Sequence, residues 1–131
     1  MEQNEKTKAL LAAFGCALAY LLAGKALAAV LPQVPEEAAR MWAFVHRCAA
    51  APIVEELVFR GIIQQLARPL GERQAVALQA VLFAVQHRGP AGMAYALVCG
   101  LVLGTIRSRT GSVCPGMLLH TLNNLLVFAA G

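Results

Sequence analysis

The chain has 131 residues, a length that fits one domain, and 59% of them are hydrophobic while only 14% are charged. Globular proteins average about 45–50% apolar and about 25% charged residues, so this composition favours a protein of the lipid bilayer. The net charge of +4 comes from scattered Lys and Arg, and the chain lacks a basic run, which argues against nucleic-acid binding. The four cysteines include no Cys-x-x-Cys pair, which argues against a disulfide framework or a zinc ribbon.

The first apolar segment extends from Ala9 to Pro32 and is interrupted only by Lys25. A cleaved signal peptide is the alternative, but its apolar region is usually shorter. At about 1.5 Å per residue this segment spans roughly 36 Å, enough to cross a bilayer with tilt, and we predict a transmembrane helix. Residues 33–47 place charged residues around Trp42, which predicts a short amphipathic helix at the membrane interface.

Four further apolar segments follow, separated by turns that contain Pro, Gly or charged residues: 48–70, 74–87, 91–106 and 113–130. In the third of these, small residues recur at four-residue spacing, which allows a neighbouring helix to approach closely. They are Gly92, Ala96, Gly100 and Gly104. The pattern predicts an all-α polytopic membrane helix bundle with about five transmembrane helices and one interfacial helix. We expect a single membrane domain over residues 1–131.

Charged residues inside an apolar segment are costly and by default suggest function. In the string IVEELVFR, Glu56 and Arg60 are four apart and share one face of a helix, whereas Glu55 is rotated by about 100°. We predict that Glu56 and Arg60 form a structural ion pair, which leaves Glu55 free for chemistry. A simpler interpretation is that both glutamates follow Pro52 as first-turn carboxylates favoured by the helix dipole.

The other polar residues fall at a similar depth if each segment crosses once. The chain then alternates between side A, where the first helix begins, and side B. Glu55, His87, His120 and Asn124 all lie in the half nearer side B, which predicts a shared cavity opening toward that side. Taken singly, His87 is better explained as a helix-end residue, and a polar contact between helices is an alternative role for Asn123 and Asn124.

A carboxylate and two imidazoles at one depth suit activation of a water molecule, and an asparagine with a histidine suits an oxyanion. Together they indicate amide hydrolysis. Other intramembrane protease chemistries fit poorly, because the chain has no aspartate, no Gly-x-Ser-Gly and no His-Glu-x-x-His motif. A zinc or other divalent metal held by Glu55, His87 and His120 stays open, although no local ligand spacing argues for it.

The strings EELVFR, FAVQH and HTLNN occur in the order of the motifs Glu-Glu-x-x-x-Arg, Phe-x-x-x-His and His-x-x-x-Asn. Over about residues 48–130 the chain therefore resembles the CPBP family, which includes type II CAAX prenyl endopeptidases and bacteriocin-processing and immunity (Abi) proteins. The resemblance implies that this region is the catalytic core of an intramembrane endopeptidase of glutamic type. The family has been described both as metalloproteases and as metal-independent glutamic proteases, and we expect no cofactor.

The resemblance also implies a role for each residue that matches a motif. Glu55 would be the general base on water, assisted by His87. His120 and Asn124 would hold the oxyanion. The residues expected to support them are Glu56 and Arg60.

We therefore expect a multi-pass integral membrane protein of the bacterial cytoplasmic membrane. Its partners would be the lipid bilayer and a membrane-anchored or lipidated peptide or protein that it cleaves, with no nucleic acid. Two alternatives stay open: a non-catalytic bacteriocin-immunity or adaptor protein of the same fold, and a small transporter that uses Glu55 and the histidines as a proton relay. The sequence leaves the substrate and the membrane orientation open.

Overall fold

The computed structural model describes residues 2–32 and 34–131, and five helices build the fold of this part of the chain. We name them α1 (Glu2–Val30), α2 (residues 36–66), α3 (Glu72–Ala84), α4 (Gly89–Thr110) and α5 (Cys114–Ala129). A short 3-10 turn at Arg68–Leu70 connects α2 to α3. No strand occurs among the described residues, and the predicted all-α bundle is confirmed.

Helix α2 continues without a break through the boundary that the sequence predicts near residue 47. It starts as an α-helix, Glu36–Val45, and includes two wider π-helical stretches, His46–Ala50 and Glu56–Ile63. The first stretch precedes Pro52, whose ring would collide with the carbonyl four residues earlier in an α-helix, and a wider turn relieves that collision. The predicted interfacial helix is therefore the first part of α2 and not a separate element.

Two of the helices, α1 and α4, are long and apolar enough to cross a membrane by length and composition. Helix α5 is apolar but has only 16 residues, and α3 has 13. At about 1.5 Å per residue α3 covers about 20 Å, less than the roughly 30 Å of a bilayer's hydrocarbon core. Five complete crossings therefore stay a prediction.

The core lies where α1, α2 and α3 meet. Ala13 and Ala17 of α1 belong to one buried cluster with Phe59 and Ile63 of α2 and Phe83 of α3. The aromatic ring of Phe59 stands edge-on to that of Phe83, with 5.1 Å between the ring centroids. The small alanines allow α1 to approach the bulky residues of α2, so α1 supports the part of α2 that carries the charged residues.

The predicted close approach along the small residues of α4 is confirmed where α4 packs on α3. A Cβ atom added at Gly100 would lie 2.9 Å from the Cα of Ala80, so no larger residue fits without a backbone shift. Ala96 is also buried, in one cluster with Leu82, Phe83 and Ala84 of α3. Gly92, by contrast, faces open space and contributes nothing to the contact.

Two buried glutamines also bind the backbone of α4. The side-chain amide of Gln79 donates to the Gly100 carbonyl at 2.8 Å, and that of Gln64 donates to the Gly104 carbonyl at 3.0 Å. Glycine leaves these carbonyls uncovered by a side chain, so an amide from another helix can reach them. Neither glutamine is predicted from the sequence, where the only signal is an uncharged polar residue within an apolar segment.

Candidate active site

Glu56 and Arg60 lie one turn apart in the second π-helical stretch of α2, and both side chains are fully buried. The Arg60 Nη1 atom stands 3.2 Å from Glu56 Oε1, so the predicted ion pair is confirmed. The guanidinium group also lies over the ring of Phe83, 4.5 Å from its centroid, in a cation–π contact. The charge of Arg60 is thus balanced by a carboxylate on its own helix and covered by an aromatic ring from α3.

His120 of α5 contacts both glutamates of α2. An ionised carboxylate only accepts hydrogen bonds, so the imidazole Nδ1–H donates to Glu56 Oε1, at 3.0 Å. The other ring nitrogen, Nε2, lies 3.6 Å from Glu55 Oε2, which is beyond direct hydrogen-bonding distance. The buried glutamate therefore fixes the orientation of the ring and directs its second nitrogen toward Glu55.

The two neighbouring glutamates differ in their access to small molecules. The side chain of Glu55 is 20% exposed, whereas that of Glu56 is 0% exposed. Water or a substrate can therefore reach the first carboxylate but not the second. The predicted division into one reactive and one supporting glutamate requires such a difference in access.

The ring of Phe83 lies edge-on to both His87 and His120. Its ring centroid lies 4.7 Å from that of His87 and 5.9 Å from that of His120. The His87 Nδ1–H donates to the backbone carbonyl of Phe83 at 3.0 Å, since a carbonyl oxygen only accepts. This bond leaves Nε2 as the acceptor nitrogen of the His87 ring.

Asn124 lies one turn beyond His120, and its amide binds the backbone of α2. The Asn124 Nδ2 donates to the Arg47 carbonyl at 2.8 Å. That carbonyl has lost its usual partners in the helix, because the Ala51 N–H binds the carbonyl of His46 and Pro52 has no N–H. Asn124 thus satisfies a carbonyl that the π-helical stretch leaves free, and the second hydrogen of its amide nitrogen stays available.

The three residues considered as metal ligands do not fit a metal ion in the arrangement described. Among residues 2–32 and 34–131, no group of three or more His, Cys, Asp or Glu side chains is placed to hold one. Glu55 and His120 lie close together, but His87 does not complete a group of three with them. We therefore derive no step through a metal.

An apolar groove of about 230 Å³ between α4 and α5 reaches the site. Val98, Val102 and Leu119 form part of its wall, and His120 and Asn123 also line it. The groove is thus apolar along most of its surface and polar where it meets the histidine.

The chain matches the family described as Type II CAAX prenyl endopeptidase Rce1-like over residues 37–126. The match starts in the first turn of α2 and ends in α5, so it includes all the polar residues of the site and leaves out α1. Comparisons with curated proteins and with solved structures gave no significant match. Since the match covers more than half of the sequence, the chain belongs to the Rce1-like family of type II CAAX prenyl endopeptidases, which are membrane-embedded proteases.

Proposed function

We propose that this protein is an intramembrane endopeptidase of glutamic type that hydrolyses a peptide bond in a membrane-anchored or lipidated peptide or protein. Membership of the family supports the protease activity. The observation that carries the glutamic chemistry is the position of Glu55. This partly exposed carboxylate faces a histidine whose other nitrogen is held by a buried, arginine-paired glutamate. A carboxylate in this setting is suited to act as a general base.

In the proposed reaction, Glu55 takes a proton from water, assisted by His87, and the water oxygen attacks the carbonyl carbon of the scissile bond. The electron pair of the C=O bond moves to oxygen and creates an oxyanion. The Nε2–H of a protonated His120 and the second N–H of Asn124 donate hydrogen bonds to it. When the intermediate collapses, the C–N bond breaks and the leaving amine takes the proton from Glu55.

The groove between α4 and α5 supports a substrate with an apolar segment. Its wall offers valine and leucine side chains to such a segment and leads to the histidine at the reacting centre. Large apolar side chains also cover much of the outer surface, including Leu11, Phe14 and Val102, as expected of a protein surrounded by lipid. These exposed side chains support a membrane-embedded protein, and we propose that it is a multi-pass protein of the bacterial cytoplasmic membrane.

The experiment that tests the proposal is cleavage in reconstituted membranes. Wild type, Glu55→Gln and Glu37→Gln would be incubated with a library of membrane-anchored peptides, prenylated and unprenylated, and the products identified by mass spectrometry. Glu37 is an exposed glutamate of α2 far from the site and serves as the matched control. We expect cleavage by wild type and Glu37→Gln, and a loss of about 10²- to 10⁴-fold in Glu55→Gln, the usual contribution of a general base.

A parallel set of reactions with a chelator would test the metal-free mechanism. We expect unchanged rates with chelator. Equal cleavage by Glu55→Gln and wild type would remove Glu55 from the role of base. A cellular phenotype that persists in folded Glu55→Gln would favour the immunity or adaptor alternative over the enzyme.

A further inference from the structure

Gly116 of α5 lies directly against the carboxylate of Glu56. A Cβ atom added to this buried glycine would stand 2.7 Å from Glu56 Oε2 and 3.5 Å from its Cδ. Cβ atoms in proteins essentially never approach another heavy atom closer than 3.0 Å. Glu56 can therefore occupy its present position only because the residue facing it is glycine.

The same carboxylate holds His120, which lies one turn after Gly116 on the same face of α5. Its Oε1 atom binds the His120 Nδ1–H at 3.0 Å and stands 3.2 Å from Arg60 Nη1. Its Oε2 atom has no hydrogen-bond partner among the described residues. The position of Oε2 is therefore set by packing against Gly116, and any shift there rotates the oxygen that orients the imidazole.

We propose that Gly116 is a positioning residue of the active site. Its missing side chain admits the Glu56 carboxylate between α2 and α5, and this position directs the His120 Nε2 toward Glu55. The effect of Gly116 on turnover rests on the proposed protease function. Its effect on the orientation of the His120 ring is independent of that function.

The atom that Gly116 contacts distinguishes this glycine from one that serves only helix packing. Gly100 faces the backbone of Ala80, so a methyl group there would displace a helix. Gly116 faces the end of a side chain, which can move aside while the helices stay in place. Gly116→Ala is therefore expected to preserve the fold and to misplace the carboxylate.

Two other glycine-to-alanine substitutions in the chain serve as controls. Gly61 lies beside Arg60 in α2, but its nearest neighbours would be 3.8 and 3.9 Å from an added Cβ, an ordinary contact distance. Gly61→Ala therefore controls for a methyl group near the site. Gly100→Ala controls for general damage to helix packing.

The experiment combines two measurements on the full chain in the same membranes. The ¹⁵N resonances of the histidine rings would be recorded for wild type and the three glycine variants, with His120 assigned through a His120→Gln variant. Cleavage of the membrane-anchored peptides would be measured in parallel. We expect Gly116→Ala to shift the His120 ring resonances and to lower kcat about 10- to 100-fold, the effect of a misplacement near 1 Å, with little change in KM. Gly61→Ala should change neither.

A second-site variant tests the contact itself. Glu56→Asp shortens the acidic side chain by one methylene and restores space beside the added methyl group. We expect the double variant Gly116→Ala/Glu56→Asp to regain part of the rate lost in Gly116→Ala. If Gly116→Ala does not fold, restoration of folding by Glu56→Asp supports the same contact, and failure to restore it overturns the proposal.

The two proposals fail in distinguishable ways. His120 ring resonances that are identical in Gly116→Ala and wild type would overturn the positioning role, whatever the enzyme activity. A wild-type protein that cleaves no peptide, while its His120 resonances shift in Gly116→Ala, would leave the positioning role intact and contradict the proposed function.

Discussion

The part of the chain that the structure describes contains two buried polar clusters of different chemistry. The charged cluster consists of Glu56, Arg60 and His120, which bind one another through side-chain atoms of α2 and α5. The glutamine cluster consists of Gln64 and Gln79, whose amides bind backbone carbonyls of α4. The charged cluster is held by contacts between ionisable side chains, whereas both glutamine amides bind helix backbone, and that of Gln64 also donates to the Ser108 hydroxyl at 2.9 Å.

This difference supports the proposal that the charged cluster, and not the glutamine cluster, serves the chemistry. A neutral amide bound to a carbonyl stabilises a helix interface by about 1 kcal/mol, and its loss leaves no charge behind. A buried ion pair is a weak source of stability, yet removing one partner leaves an uncompensated charge and costs about 3–5 kcal/mol. The charged cluster is therefore a costly arrangement for stability alone, and its contact with the partly exposed Glu55 supplies a functional reason for it.

The largest effect is expected when the charged cluster loses its cation. Arg60→Ala leaves the fully buried Glu56 without its arginine, and we expect the free energy of unfolding to fall by about 3–5 kcal/mol, together with a loss of activity. Thermal and denaturant unfolding in micelles would measure the change. Arg40→Ala, at an exposed position of α2, is the matched control. Normal stability of Arg60→Ala would contradict the assignment of the ion pair.

A smaller effect is expected in the glutamine cluster. Gln79→Leu removes the bond to the Gly100 carbonyl and keeps most of the side-chain volume, so the free energy of unfolding should fall by about 1 kcal/mol. The cleavage rate of the folded variant should equal that of wild type. A loss of stability as large as that of Arg60→Ala, or a specific loss of turnover, would erase the distinction between the clusters.

The smallest effect is expected at the polar end of the bundle, where α2, α3 and α4 meet outside the apolar segments. Glu72 accepts hydrogen bonds from the Ser108 hydroxyl and, at 3.3 Å, from Arg68 Nε. The pKa of Glu72 lies below its ordinary value of 4.5. The hydrogen bond from the Ser108 hydroxyl lowers this pKa most, and the charges of the nearby arginines lower it further. Because the folded pKa is the lower one, this stabilisation is complete above about pH 4.5 and is lost as the pH falls through the folded pKa.

Ser108→Ala tests this linkage. As the pH falls from about 5 to about 3, the free energy of unfolding should decrease less in the variant than in wild type. The reason is that the Glu72 pKa of the folded variant lies closer to the Glu72 pKa of the unfolded chain. The difference should be small, since the Glu72 side chain is 46% exposed and screened by solvent. Melting temperatures across this range would measure it, and parallel curves for the two proteins would contradict the role of the hydroxyl.

The local parts of the site could be predicted from the sequence because helical periodicity alone decides them. Glu56 and Arg60 are four apart, so any helix brings them to one face, and their pairing follows. The meeting of Glu55 with His120 followed from motif order and equal depth in neighbouring helices. The small residues of α4 likewise predicted a close helix contact, which Gly100 makes with α3.

Other features depend on how the helices are placed to within about an ångström, which periodicity does not specify. The sequence did not show that α2 becomes π-helical just before Pro52, and hence that Asn124 binds the freed Arg47 carbonyl. Nor did it show which glutamate holds His120 Nδ1, since Glu55 and Glu56 are neighbours and either could face α5 before the helices are placed.

The sequence by itself determined an all-α bundle with ionisable residues at one depth, because the apolar segments and the spacing of their polar residues are local properties of the chain. Only the tertiary structure decided which carboxylate is buried, which is exposed, and that Gly116 provides the space for Glu56. The physical reason is that access and close packing are set between helices, at distances where one methyl group changes what fits.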